Sequence, residues 1–142
     1  MERQRTSYGW VLRIDPDEEL YETLRAFAVE QDVRAGTLTG IGAVGEAELG
    51  FFVRENRTYV RRVFRGEHEI LSLIGNLSVL EGAPFLHCHL TLAGRDFVAY
   101  GGHLFRAVVS VTCEVHVVTS PGAIVRASRA DLGFHPLAPD GR

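Results

Sequence analysis

Hydrophobic positions along the chain follow a helical period in one segment only. Between Leu20 and Ala28 they recur at helical spacing, with Leu20, Leu24 and Phe27 on one stripe and Tyr21 and Ala28 beside it. Asp15-Pro16-Asp17-Glu18 comes just before. It predicts the helix start, with Asp15 as N-cap, Pro16 at the first helical position and Glu18 three residues after the cap. The acidic first turn suits the helix dipole, and the helix is expected to end near Gln31. Elsewhere the apolar pattern is continuous or has period two. It predicts strands over residues 7–14, 35–41, 46–53, 59–64, 68–80, 85–92, 97–100 and 108–119. Gly42-Ala43-Val44-Gly45, Glu55-Asn56-Arg57, Glu81-Gly82-Ala83-Pro84 and Gly94-Arg95-Asp96 read as the turns, and Gly101-Gly102 as a strand break. Many strands and one helix predict an α+β fold: a mostly antiparallel, mixed sheet packed with one main helix. A single domain is expected over residues 1–142, with a core of about 7–132. The tail from Ser120, with Pro121, Pro136 and Pro139, should be irregular and partly mobile.

Strand alternation then sorts side chains by face. In 85–92 it places Leu86, Cys88, Leu90 and Leu92 on the core side, and His87, His89 and Thr91 on the other. Two histidines at i and i+2 bring their rings together, and His103 arrives after a tight turn and one returning strand. Gly101-Gly102 would let the backbone bend His103 toward the pair. Three imidazoles with an open fourth position match a catalytic-type zinc site better than a closed, thiolate-rich structural one. Nickel, iron or copper would accept the same set. The alternative is that each histidine simply bonds a neighbour. His68, His116 and His135 are read that way.

Other polar residues are candidates for the same site. In 108–119, Val109, Val111, Cys113, Val115 and Val117 share the expected core face, which leaves Glu114 on the other. Beside a metal, Glu114 could orient a ligand or act as general base on metal-bound water; otherwise it lies on a solvated face or pairs with an arginine such as Arg106. In 68–80, Leu71, Leu73, Leu77 and Val79 form the core face, opposite Ser72, Asn76 and Ser78. Asn76 either bonds a ligand or satisfies backbone at a bulge near Gly75. Glu69 pairs with Arg65 or serves the site. Arg61, Arg62 and Arg65 are expected to be ion-pair partners of Glu55, Glu67 and Glu69.

Composition narrows the function classes. All 15 basic residues of the 142 are arginine, so no lysine Schiff base and no Walker lysine can form. The net charge of −3 argues against general phosphate-backbone binding, though not against a local basic patch. Cys88 and Cys113 sit in apolar runs and read as buried, reduced thiols. No stretch approaches the roughly 20 apolar residues of a membrane span, and Met1-Glu2-Arg3-Gln4-Arg5 has no apolar signal core. A cytoplasmic protein without membrane contact is expected. No GxSxG elbow is present, and Gly40-Ile41-Gly42-Ala43 lacks the third glycine and the following helix of a dinucleotide loop.

Four motifs in register carry a family resemblance: Gly40-Ile41-Gly42-Ala43; Glu69-Ile70-Leu71-Ser72-Leu73 with Gly75-Asn76; Pro84-Phe85-Leu86-His87-Cys88-His89; and Gly101-Gly102-His103-Leu104. From about Tyr8 to about Leu132 the chain resembles the plants-and-prokaryotes conserved (PPC) domain family, of the stand-alone type found in bacteria and archaea. The resemblance implies a homotrimer. Plant members join the domain to Arg-Gly-Arg-Pro hooks that enter the DNA minor groove, but this chain has no such core. The fold is also similar to that of acetolactate decarboxylase, a metal enzyme with its own HxH-plus-histidine zinc site. The leading expectation is therefore a homotrimeric domain holding a divalent ion, zinc first, at His87, His89 and His103, with a small anionic or oxygen-donor ligand. A DNA-binding regulatory or architectural protein and a metal-dependent lyase or hydrolase are the alternatives.

Overall fold

The computed structural model describes residues 1–129 and 131–139. Its strands are β1 (Glu2–Arg5), β2 (Gly9–Ile14), β3 (Gly36–Val53), β4 (Thr58–Leu80), β5 (Ala83–Ala93) and β6 (Ala99–Thr119), with one helix, α1 (Leu20–Glu30). They form a single sheet in the order β1-β2-β6-β3-β4-β5, and every ladder is antiparallel. The expected antiparallel sheet with one helix is therefore present, in a strongly β-rich form.

One extra pairing shapes the molecule. The first residues of β6 also pair with β5, so β3, β4, β5 and β6 close into a ring. At the join, His103 lies opposite His89 on one side and Gly50 on the other. Leu73, Leu77, Leu90, Leu92, Leu104, Val115 and Val117 fill one buried cluster with Leu12, Ile14 and the helix residues Leu20, Leu24 and Phe27. The helix thus buries the stripe its periodicity predicted.

The helix start differs from the expectation. Asp15 is not the N-cap; Glu19 is, and its carboxylate accepts from the Tyr21 N–H (3.2 Å) and the Glu22 N–H (2.6 Å). Residues 15–18 form a turn instead, with Asp17 at φ 69°. Tertiary bonding overrides the capping signal: the Asp17 N–H donates to the Val109 carbonyl, and the Val109 N–H to the Glu18 carbonyl.

Three expected interruptions are absent. β3 runs straight through Gly42-Ala43-Val44-Gly45, absorbing them as register shifts between Gly40 and Gly42 and between Val44 and Glu46. β4 passes through Gly66, and β6 through Gly101-Gly102. These glycines serve bulges and close approaches, not turns. The shifts also move side chains between faces. Leu71 and Val111, expected in the core, are 51% and 63% exposed, because register shifts beside them break the alternation; Ile70 turns inward instead of Leu71. β1 was not legible, since its four residues are all exposed.

The other turns form as expected, with Arg57, Glu81 and Gly82 at positive φ. Cys88 and Cys113 are free and buried, and burial pushes both thiols up to about 12. No described helix is long and apolar enough to cross a membrane. The tail is irregular, yet it packs back on the sheet: Val125 bridges Val79, Arg126 bridges Leu137, and Arg126 and Ala138 are buried.

Candidate metal centre

His87 and His89 project from the outer face of β5, because Leu86, Cys88 and Leu90 fill the inner one. β6 then brings His103 directly opposite His89. One ligand atom from each of the three lies within 4.8 Å of the others. The ring centroids are 5.1 Å (His87–His103), 5.2 Å (His87–His89) and 5.6 Å (His89–His103) apart. The sequence reading of this trio agrees with the geometry, with one change. Gly101-Gly102 does not bend the chain; it lets β6 pass close to both neighbours. A Cβ on Gly102 would stand 2.8 Å from the Gly50 carbonyl oxygen.

Two observations fit these residues to a metal. Nδ1 of His103 is buried and has no hydrogen-bond partner, an arrangement that native structures rarely leave unexplained. The rings of His103 and His87 also favour the neutral, ligating form. Burial pushes His103 down to about 4, with His87, His89, Arg61 and Arg126 adding repulsion. Burial, then Arg126 and His89, likewise lowers His87. Ligands about 2.1 Å from one tetrahedral ion stand about 3.4 Å apart, so small ring rotations would close this set on one ion. Such an ion would keep an open coordination position.

Aromatic side chains wall the site. The Tyr59 and Phe105 rings pack 5.0 Å and 4.9 Å from His103. Arg61 stacks 3.6 Å over Phe105, and Phe134 from the tail meets Phe52 at 5.7 Å. Tyr59, Phe52 and Phe134, together with Phe51 and Ile74, surround a cavity of about 590 Å³ whose floor is the three histidines.

The remaining candidates lie elsewhere or act differently. Glu114 is exposed, eleven residues along β6 from His103, and pairs across the sheet with Ile41 and Arg13. The structure does not bring it to the histidines, and Arg106 bonds Glu46 instead (2.6 Å). Glu69 lines a separate groove with Ile41, Leu71 and Glu114. Asn76 is the cross-strand neighbour of His87, but its Oδ1 accepts from Arg126 Nη2 at 2.6 Å. Arg65 and Arg61 pair with Glu46 (3.3 Å) and Glu48 (3.6 Å), not with Glu55, Glu67 or Glu69. The β3–β4 ladder makes the former their spatial neighbours. Arg62 stacks over Phe64. His68 bonds the Gly66 carbonyl and His116 the Tyr8 hydroxyl, while His135 stands outside the trio. Sequence reasoning missed Tyr59, Phe134 and Arg126, whose roles depend on contacts distant in the chain, and Phe105, which strand alternation from His103 could have found.

The depressed His103 has a consequence for the metal-free protein. Its folded value of about 4 lies below the ordinary histidine value near 6.5, so between those pH values the unfolded chain binds more protons. Stability is therefore full above about 6.5 and declines as pH falls toward about 4. Thermal melts across that window should show the decline, and His103→Gln should reduce it, leaving the part that the lowered His87 contributes.

Comparison with known proteins places this geometry in a family. No match is found among curated proteins. Among solved structures, a metal-containing protein from Archaeoglobus fulgidus is 36% identical, with 96% of each chain covered and a TM-score of 0.85. A candidate DNA-binding protein from Bacteroides thetaiotaomicron is 30% identical, covering 98% of this chain and 97% of its own, with a TM-score of 0.95. Acetolactate decarboxylase from Bacillus subtilis subspecies spizizenii shares the fold at 16% identity and a TM-score of 0.60, over 88% of this chain and 59% of its own. The model of the Plants and Prokaryotes Conserved (PCC) domain matches residues 1–121, and the chain belongs to that family.

Proposed function

We propose that this protein is a cytoplasmic, homotrimeric metal-binding domain. His87, His89 and His103 hold one divalent ion, zinc first, and a small oxygen-donor ligand takes the open position. The observation that carries this reading is the convergence of three ring nitrogens within 4.8 Å at the floor of an aromatic cavity. The metal-containing relative from Archaeoglobus fulgidus supports it. Elemental analysis of purified protein should find about one zinc per chain, and none in His89→Ala. Equal metal in both proteins would refute the assignment.

Trimer formation is supported by apolar side chains on the outer face. Ile41, Leu71 and Ile74 line one groove, and Ile74 also lines the histidine cavity. Such a patch calls for cover. Sedimentation equilibrium returning a monomer would remove this part of the reading.

DNA binding is a second reading, favoured by the description of the Bacteroides thetaiotaomicron relative. The net charge of −3 weighs against it. A salt-dependent gel shift with duplex DNA decides: no shift at low salt eliminates it. A metal-dependent lyase or hydrolase draws on the open coordination position alone, since Glu114 stands away from the cavity.

A further inference from the structure

Arg126 carries a charge that no described carboxylate neutralises. The residue is 9% exposed. Nε donates to Ser78 Oγ (2.8 Å), Nη1 to the His135 carbonyl (2.7 Å) and Nη2 to Asn76 Oδ1 (2.6 Å). All three acceptors are neutral. They orient the guanidinium and leave its charge whole, and two of its five N–H groups have no acceptor among the described residues. Burying an ion without a counterion is costly, so a buried unpaired arginine calls for an explanation.

Its position supplies one. Asn76 is the cross-strand neighbour of His87, and Ser78 follows on the same face of β4. The guanidinium thus stands one side chain behind the floor of the histidine cavity, stacked 4.9 Å over Phe85. The tail that delivers Arg126 also delivers Phe134 to the cavity wall. Above the histidines the walls are apolar: Phe51, Phe52, Ile74 and Phe134. A positive charge behind the floor and aromatic walls above it suit a molecule with an anionic head and an apolar body.

Resting on the metal reading above, we propose that the site's ligand is a small carboxylate with an aromatic or branched apolar body, and that Arg126 sets this preference for negative charge. Arg126 is a positioning residue that acts through the field across His87 and Asn76. In a site partly closed to water, a charge at that range favours an anion over its neutral isostere by about tenfold.

The test uses the zinc-loaded full chain with benzoate and benzamide as probes, read by calorimetry. Wild type should bind benzoate more tightly than both benzamide and acetate. Arg126→Gln should lower the benzoate-to-benzamide preference about tenfold, and Arg126→Lys should restore most of it. A merely structural arginine would leave that ratio unchanged, and an unchanged ratio overturns the proposal. Benzoate binding no tighter than acetate overturns it as well, whether or not the glutamine variant folds. If wild type takes up no zinc, the metal reading falls first and this inference with it; zinc uptake without charge discrimination defeats this inference alone.

Discussion

Replacing His103 by alanine lowers zinc affinity by more than about a hundredfold, beyond the ten- to hundredfold typical of losing an outer-shell partner. In the proposed site His103 is the ligand supplied by a second strand, so its loss would leave two imidazoles from β5 and no enclosed coordination set. The fold should survive. The substitution removes a buried nitrogen that has no partner, a gain that offsets part of the ring packing lost against Tyr59 and Phe105. A competition titration against a chromophoric chelator gives the affinity, and a thermal melt gives the stability. Unchanged affinity in a cooperatively folded variant would remove His103 from the ligand set.

Gly102→Ala is the second large effect, and it strikes fold and site together. The added methyl would stand 2.8 Å from the Gly50 carbonyl oxygen and 3.4 Å from two further Gly50 backbone atoms. Backbone within a paired strand cannot swing aside as a flexible side chain does. β3 and β6 must separate, at about 1–3 kcal/mol by analogy with overpacked cores. Because His103 is the next residue, zinc affinity should fall about tenfold or more in the same variant. Gly101→Ala is the matched control, since its methyl would meet the Leu90 carbonyl oxygen and Thr91 Oγ1 only at 3.3 Å. Chemical denaturation of the three proteins checks the order. A Gly102→Ala protein as stable as wild type would contradict the close approach of β3 and β6.

These contrasts show which features could be read from the chain. The His87–His89 pair was legible because alternation in a strand is a local rule, and the apolar run 86–92 obeys it without a bulge. The stripe of α1 was legible for the same reason. Leu71 and Val111 were misplaced where the ladder shifts register: the extra residue at Ile70–Ser72 inverts the face of β4, whereas the shift around Val111 is local and leaves Val109 and Cys113 buried on either side. Glycines at 42, 45, 101 and 102 read as chain breaks because a turn and a bulge ask for the same residue; only the partner strand tells them apart. Asp15 looked like a cap until Val109 claimed the neighbouring backbone. Arg126 gave no signal at all, because Ser78 and Asn76 lie about fifty positions earlier in the chain.

The closure of β5 onto β6 would give a bound metal a mechanical part. His89 and His103 face each other across the last ladder that completes the ring, so an ion shared between them would work as a latch on that seam. Prising the two strands apart would then require releasing the ion first. Amide protons along 89–93 and 99–103 would exchange slowly when it is bound and faster when it is stripped, while those of β1 and β2, remote from the seam, would keep their pace.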